Sequence, residues 1–177
     1  RDHRRPARQL ASLDVRMSGA RIHSPVTGPA NPIAPPVRIR PTGDGVEARV
    51  VLGRAHEGPP GYAHGGVSAM ILDEVLGRAA VEAGRDGVTG ELRIRYLRPV
   101  PLRTPILVRA AVSEENRRRT TVMGTVTTVE DPGTVLIRAS GDFVRLPDDK
   151  RRAYFGRLIN ADGSPAVGYQ LRPTASE

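Results

Sequence analysis

At 177 residues the chain suits one domain of ordinary size, with or without tails, and is too short for two comfortable ones. With no cysteine it has no disulfide scaffold, thiolate zinc site or cysteine nucleophile. The net charge of +8 sits at the two ends: residues 1–45 hold 8 Arg against 3 acids, residues 150–177 hold 5 bases against 2 acids, and residues 46–149 balance at 14 against 14. Only six aromatic residues exist, and Tyr154, Phe155 and Tyr169 all lie near the C-terminus, so the balanced middle has no platform on which bases could stack. Nucleic acid is therefore not an expected partner. No run approaches the ~18 apolar residues that a membrane helix needs, and no leading segment resembles a signal peptide. The expectation is a soluble, cytoplasmic protein that does not partner a membrane.

Residues 1–30 read as an Arg- and Pro-rich extension, since Pro25, Pro29, Pro32, Pro35 and Pro36 forbid a helix on the approach to the domain. The domain itself is read as residues 31–147. Val37 to Arg40 alternates, Thr42-Gly43-Asp44-Gly45 is turn chemistry, and Val46 to Leu52 is rich in β-branched residues, which predicts a hairpin. From about Gly66 to Ala83 the apolar residues cover nearly every angle of a helical wheel, predicting a helix buried on all sides. The period then switches to two. Leu92, Ile94 and Tyr96 alternate with Arg93, Arg95 and Leu97, and strand-like runs follow at Ile106–Val112, Thr120–Thr128 and Thr134–Val144.

Four such strands in succession predict an antiparallel meander. With a single helix to serve as crossover, the pattern fits an α+β fold: one central buried helix wrapped by a curved antiparallel sheet of five to six strands. Residues 148–177 read as a polar C-terminal tail with a short helix near Arg151–Ile159.

The segment with chemistry in it is Gly61-Tyr62-Ala63-His64-Gly65-Gly66, running into the helix that carries Asp73-Glu74. Adjacent helical residues point about 100° apart, so the two acids cannot face one site. A buried carboxylate without a partner costs several kcal/mol, hence at least one acid faces a wet cleft or a hydrogen-bonding group. Two glycines at a helix start let another molecule approach the backbone. There the first N–H groups lack internal partners at the positive end of the dipole. Such a place suits a developing oxyanion, where one donor is worth about 3–4 kcal/mol. The four histidines, His3, His23, His56 and His64, lack ligand spacing, so no metal is expected.

The runs Gly58 to Ala80, Gly87 to Ala110 and Arg117 to Val126 resemble the hotdog-fold acyl-CoA thioesterases, particularly the PaaI-like branch marked by His-Gly-Gly followed by an Asp in the central helix. The resemblance spans about Asn31 to Leu146. It implies a hotdog fold, dimers or tetramers, and hydrolysis of an acyl-CoA thioester without a resident cofactor, coenzyme A being part of the substrate. By the same resemblance Asp73 is the catalytic carboxylate, acting as base or nucleophile. Gly65 supplies the N–H that polarises the thioester carbonyl, with Gly66 beside it. His64 lies near that carbonyl, and the Thr89 hydroxyl helps to hold the carboxylate and the attacking water. Some relatives carry Asn or Gln where this chain has Gly58, which departs from the pattern for placing water.

Glu74 is read as structural. Arg117, Arg118 and Arg119 sit at a predicted strand turn and are candidates for the phosphates of coenzyme A. Gly66 and Asp73 are seven residues apart, ~10.5 Å along a helix, whereas an attacked carbonyl needs donor and base both within ~3–4 Å. The site is therefore expected to be shared between subunits. The competing readings are an acyl-CoA hydratase or dehydratase of the same fold and a non-catalytic acyl-CoA-binding module.

Overall fold

The computed structural model describes residues 24–85 and 87–155. Residues Arg21–Arg151 form one compact unit; the other, Arg1–Ala20 with Arg152–Glu177, lies almost wholly outside the described residues. The first unit runs β1 (Arg38–Pro41), β2 (Val46–Val51), a 3-10 turn (Arg54–His56), α1 (Gly65–Glu82), β3 (Val88–Tyr96), β4 (Pro105–Glu115), β5 (Arg119–Thr128) and β6 (Ile137–Val144). A last helix, α2, spans Asp148–Phe155.

All six strands join one antiparallel sheet in the order β1-β2-β4-β5-β6-β3. This is the hotdog arrangement. The sequence-based meander of four is corrected in one respect: β3 does not pair with β4 but crosses to the far edge beside β6. The helix α1, which lies between β2 and β3 in the chain, packs across one face of the sheet, and the chain re-enters the sheet at the far edge and not beside β4. Strand bounds also shift, with β3 starting at Val88 rather than Leu92 and β6 at Ile137 rather than Thr134.

The helix α1 is capped at both ends. At its start the His64 ring accepts from the Gly66 N–H, a job usually done by Ser, Thr, Asp or Asn. At its end Gly84 takes φ +74°, the Arg85 N–H reaches the Ala80 carbonyl at 2.8 Å and the Gly84 N–H reaches Val81 at 2.9 Å, the paired bonds of a Schellman stop. Only one face is buried. Ile71, Leu72, Val75, Leu76, Ala79 and Ala80 repeat at helical spacing against the sheet, while Val81 on the far side is 52% exposed. The expectation of burial all round is thus corrected, because a single sheet covers only one side of the rod.

The core is completed by Val46, Ala48 and Val50 of β2, Ile106, Val108 and Ala110 of β4, and their counterparts on β5 and β6. At one helix–sheet contact a Cβ on Gly124 would stand 2.9 Å from Leu76 Cδ2, so a larger residue there would require the Leu76 side chain to shift. The C-terminal helix starts at Asp148, earlier than the expected Arg151, and the expected continuation to Ile159 lies outside the described residues.

Candidate active site

The turn that precedes α1 is stitched from three sides. The Ala63 N–H donates to the Val100 carbonyl at 2.9 Å, the Leu102 N–H to Gly61 at 3.0 Å, and the His64 N–H to the His56 carbonyl at 2.8 Å. Within the turn, Glu57 Oε1 accepts from the Gly61 N–H at 2.8 Å. His56 is buried; its Nδ1 accepts from the Gly53 N–H at 3.3 Å and its Nε2 lies 3.1 Å from the Ile33 carbonyl, so it ties the entering chain to the turn. At Gly58 a Cβ would fall 2.8 Å from His64 Cα. The position that carries Asn or Gln in some relatives has no room for a side chain here.

This framework leaves a defined set of donors at the start of α1. The Gly66 N–H is occupied by His64 Nδ1 at 3.0 Å, which fixes Nδ1 as the acceptor nitrogen of an exposed ring. The Gly65 N–H has no partner among the described residues. Its own carbonyl is held by the Tyr96 hydroxyl at 2.8 Å. Tyr96, at the end of β3, was missed by sequence reasoning: its place in an alternating strand marks a face, and nothing in that pattern says which turn it touches.

Two turns further along α1, the Thr89 hydroxyl donates to Asp73 Oδ1 at 2.9 Å. Asp73 is half-buried and makes no ion pair with any described residue. Glu74 beside it is also half-buried. Thr89 reaches the carboxylate because of a bulge. Leu92, Ile94 and Tyr96 face the helix, and strict alternation would put Thr89 on the outer face. The register shift between Thr89 and Glu91 inserts Gly90 and turns Thr89 inward, opposite Phe143. A hydroxyl donor beside a carboxylate that has one free oxygen and no cation is an arrangement that can hold a water molecule and accept its proton.

Gly65 and Asp73 stand eight residues apart on one helix, ~12 Å. The chain thus holds a backbone donor and a carboxylate that cannot both meet one carbonyl carbon.

Arg117, Arg118 and Arg119 lie where β4 turns into β5, and Asn116 Oδ1 shapes that turn by accepting from the N–H groups of Arg118 and Arg119 at 3.0 and 2.9 Å. The three are not equivalent. The Arg119 guanidinium lies 3.4 Å from Asp142, whereas those of Arg117 and Arg118 have no partner among the described residues. Among the described residues no three potential metal ligands converge, and no helix is long and apolar enough to cross a membrane.

These features define a hotdog-fold protein with a carboxylate on its central helix. Residues 60–135, which contain Gly65, Asp73 and Thr89, match the family described as the thioesterase superfamily. The mouse acyl-coenzyme A thioesterase THEM4 is 30% identical over 94 residues, 53% of this chain and 40% of that protein. Human acyl-coenzyme A thioesterase THEM5 is 31% identical over 90 residues, 51% of this chain and 36% of that protein. A crystal structure of a thioesterase superfamily protein is 41% identical and superposes with a TM-score of 0.66, covering 70% of this chain and 60% of that one. The chain therefore spans well under half the length of these curated relatives.

Proposed function

We propose that this chain is an acyl-CoA thioesterase of the PaaI-like type, which hydrolyses an acyl-CoA to a carboxylate and free coenzyme A. The observation that carries the reading is the 2.9 Å bond from Thr89 to Asp73, a carboxylate held by a neutral donor and not by a cation. Relatives named acyl-coenzyme A thioesterase, at 30% and 31% identity, support the substrate class.

In the proposed reaction a water molecule held by Asp73 and Thr89 attacks the thioester carbonyl carbon while Asp73 takes its proton. The carbonyl oxygen becomes an oxyanion and receives the Gly65 N–H, aided by the neighbouring His64 ring. Collapse reforms the carbonyl, breaks the carbon–sulfur bond and expels the thiolate, which takes the proton from Asp73. Direct attack by the Asp73 carboxylate, followed by hydrolysis of the anhydride, gives the same products. Neither route needs a resident cofactor, because a thiolate leaves readily.

The ~12 Å between Gly65 and Asp73 implies that each site combines Asp73 and Thr89 of one subunit with Gly65 and His64 of the partner subunit. The free edge of the sheet supports this. Among the described residues strand β3, nine residues long, pairs with β6 alone and leaves a row of backbone groups open at the edge, beside the helix that bears both functional groups. The reading includes a homodimer at minimum and the cytoplasmic location expected from the sequence.

The test is thiol release from a panel of acyl-CoA esters by the purified chain. Release that Asp73→Asn abolishes supports the proposal. Release that survives the substitution removes Asp73 from the mechanism. Binding without release from any ester favours a non-catalytic acyl-CoA module, and water addition to an enoyl-CoA favours a hydratase.

A further inference from the structure

Glycines at the start of α1 admit a substrate to the backbone, and they also leave that backbone free to turn. Gly65 and Gly66 have no Cβ to restrict φ and ψ, so local sterics do not fix the direction of the Gly65 N–H. A donor stabilises a developing oxyanion only when it is already aimed at it. We infer that Tyr96 is the positioning residue of this donor: its hydroxyl locks the two-glycine turn and so aims the Gly65 N–H at the thioester carbonyl. The inference rests on the thioesterase reading for the reaction, and on the contacts of Tyr96 for the role.

The torsions of Gly65 join two peptides, and each is held. On one side the helix does the holding, since the His64 carbonyl accepts from the N–H groups of Val67 and Ser68 at 3.0 and 3.2 Å. On the other side the Tyr96 hydroxyl donates to the Gly65 carbonyl at 2.8 Å. The same ring lies against the bare side of Gly65, where a Cβ would stand 3.5 Å from Cζ and Oη. The far end of that second peptide, the Gly66 N–H, donates to His64 Nδ1 at 3.0 Å, and the His64 ring folds over Gly66 where a Cβ would come within 3.1 Å of Nδ1.

The Gly65–Gly66 peptide is thus gripped at both poles, its oxygen by Tyr96 and its N–H by His64. Hydrogen bonds in such a chain polarise one another, so the grip on the oxygen strengthens the N–H as a donor to Nδ1. That nitrogen must be bare to accept, and the neutral His64 ring then carries its proton on Nε2. One hydroxyl therefore acts on two groups of the proposed site, the direction of the Gly65 N–H and the tautomer of His64.

Tyr96 is itself firmly placed. It is the last residue of β3 and lies opposite Ile137, and the N–H groups of the two residues after it, Leu97 and Arg98, both donate to the Leu136 carbonyl, at 2.9 and 3.0 Å. Burial does not account for it, because the side chain is 51% exposed and outside the core. The strand that ends in Tyr96 carries near its start Thr89, which holds Asp73. Strand β3 thus runs back along α1 and bonds to it at both functional positions, a hydroxyl on the carboxylate and a hydroxyl on the donor turn. Loss of a phenol so exposed is felt in the reaction before it is felt in the fold.

The experiment is steady-state thiol release by the full chain and by Tyr96→Phe, each with and without Gly65→Pro, which deletes the donor N–H. Solvent exchange of the Gly66 amide proton is followed by NMR in wild type and Tyr96→Phe. Expected is a fall in kcat of about tenfold in Tyr96→Phe, the effect of one ordinary hydrogen bond, with KM little changed because the donor matters most in the transition state. In the Gly65→Pro background the same substitution should cause no further loss, since no donor is left to aim. Gly66 exchange should quicken several-fold, and melting temperatures should stay within a few degrees. An unchanged kcat in Tyr96→Phe overturns the role, and so does a rise in KM alone, which marks a substrate contact. Losses that multiply across the two substitutions overturn it as well, because the hydroxyl then acts elsewhere than through Gly65. All three results leave the thioesterase reading standing. A wild type that releases no thiol from any acyl-CoA overturns that reading and the role together, and equal Gly66 exchange in the two proteins overturns the grip on the turn whatever the activity.

Discussion

Thr89 and Asp73, sixteen residues apart in sequence and on different elements, meet through one hydrogen bond of 2.9 Å that exists because Gly90 bulges out of β3. Charge-assisted hydrogen bonds of this kind contribute about 1.5–3 kcal/mol. Thr89→Val keeps the shape and removes the donor, so kcat for thiol release is expected to fall tenfold or more, with Thr89→Ser retaining most of it. Asp73→Asn, which cannot accept a proton, is expected to lose about 10²–10⁴-fold. Thermal melts of the same variants should shift by only a few degrees, since neither side chain belongs to the core. Equal kcat in Thr89→Val and wild type would remove the hydroxyl from the mechanism.

Gly65 permits an unusually clean test of the oxyanion donor. It is the first residue of α1, where proline is tolerated because that N–H has no helical acceptor. The residue before it, His64, is already extended at φ −63° and ψ 136°, the conformation that a following proline demands. A Cβ at Gly65 would meet the Tyr96 ring at an ordinary 3.5 Å. Gly65→Pro should therefore fold, with a melting temperature at or near that of wild type, and lose about 10²–10³-fold in kcat through the missing N–H. Retention of kcat within a few-fold would show that the donor lies elsewhere.

The shared site follows with a number attached. If each site takes Asp73 from one subunit and the Gly65 N–H from the other, then Asp73→Asn and Gly65→Pro are each inactive alone. Equal mixing and exchange make half of the dimers hybrid, and each hybrid has one intact site of two. About a quarter of wild-type activity should return. Sedimentation of the mixture at assay concentration checks that dimers are present, and dimers that exchange without regaining activity would place both groups within one chain's site.

The parts of this arrangement that were legible in the sequence are those set by local chemistry. The switch of period from 3.6 to 2 after Gly84 marked where the helix ends, and the stop there is a glycine at positive φ. The His64-Gly65-Gly66 turn and Asp73 were legible because glycines and acids are conspicuous at and inside an apolar helix. Parity, however, argues wrongly about Thr89. Alternation counted back from Tyr96 puts it outside the sheet, and only the bulge reverses this. The crossing of β3 to the far edge and the Tyr96 contact with Gly65 are long-range contacts, which periodicity does not encode. Arg119, by contrast, looked equivalent to its neighbours in sequence and is separated from them by Asp142.

One buried acid far from the proposed chemistry should make the fold sensitive to acid. Glu47 on β2 is only 6% exposed, on the face of the sheet opposite α1, and three arginines close over it: Arg40 at 2.6 Å, Arg49 at 3.2 Å and Arg109 at 3.4 Å. The hydrogen bond from Arg40, with that from Arg49 and the charge of both, holds its carboxyl below the ordinary glutamate value against the opposing effect of burial. A pKa lower in the folded than in the unfolded chain means that this stabilisation is fully present above the unfolded value and is lost as pH falls through the folded one. The melting temperature should thus decline on acidification from about pH 5 to pH 3, and Glu47→Gln should flatten that decline. At neutral pH the same substitution should cost about 1–2 kcal/mol, between the value of an exposed pair and that of a fully buried one, because the arginine partners remain largely in solvent. Melting curves of both proteins across that pH range decide the matter. Parallel acid limbs in wild type and Glu47→Gln would assign the acid sensitivity to other carboxylates.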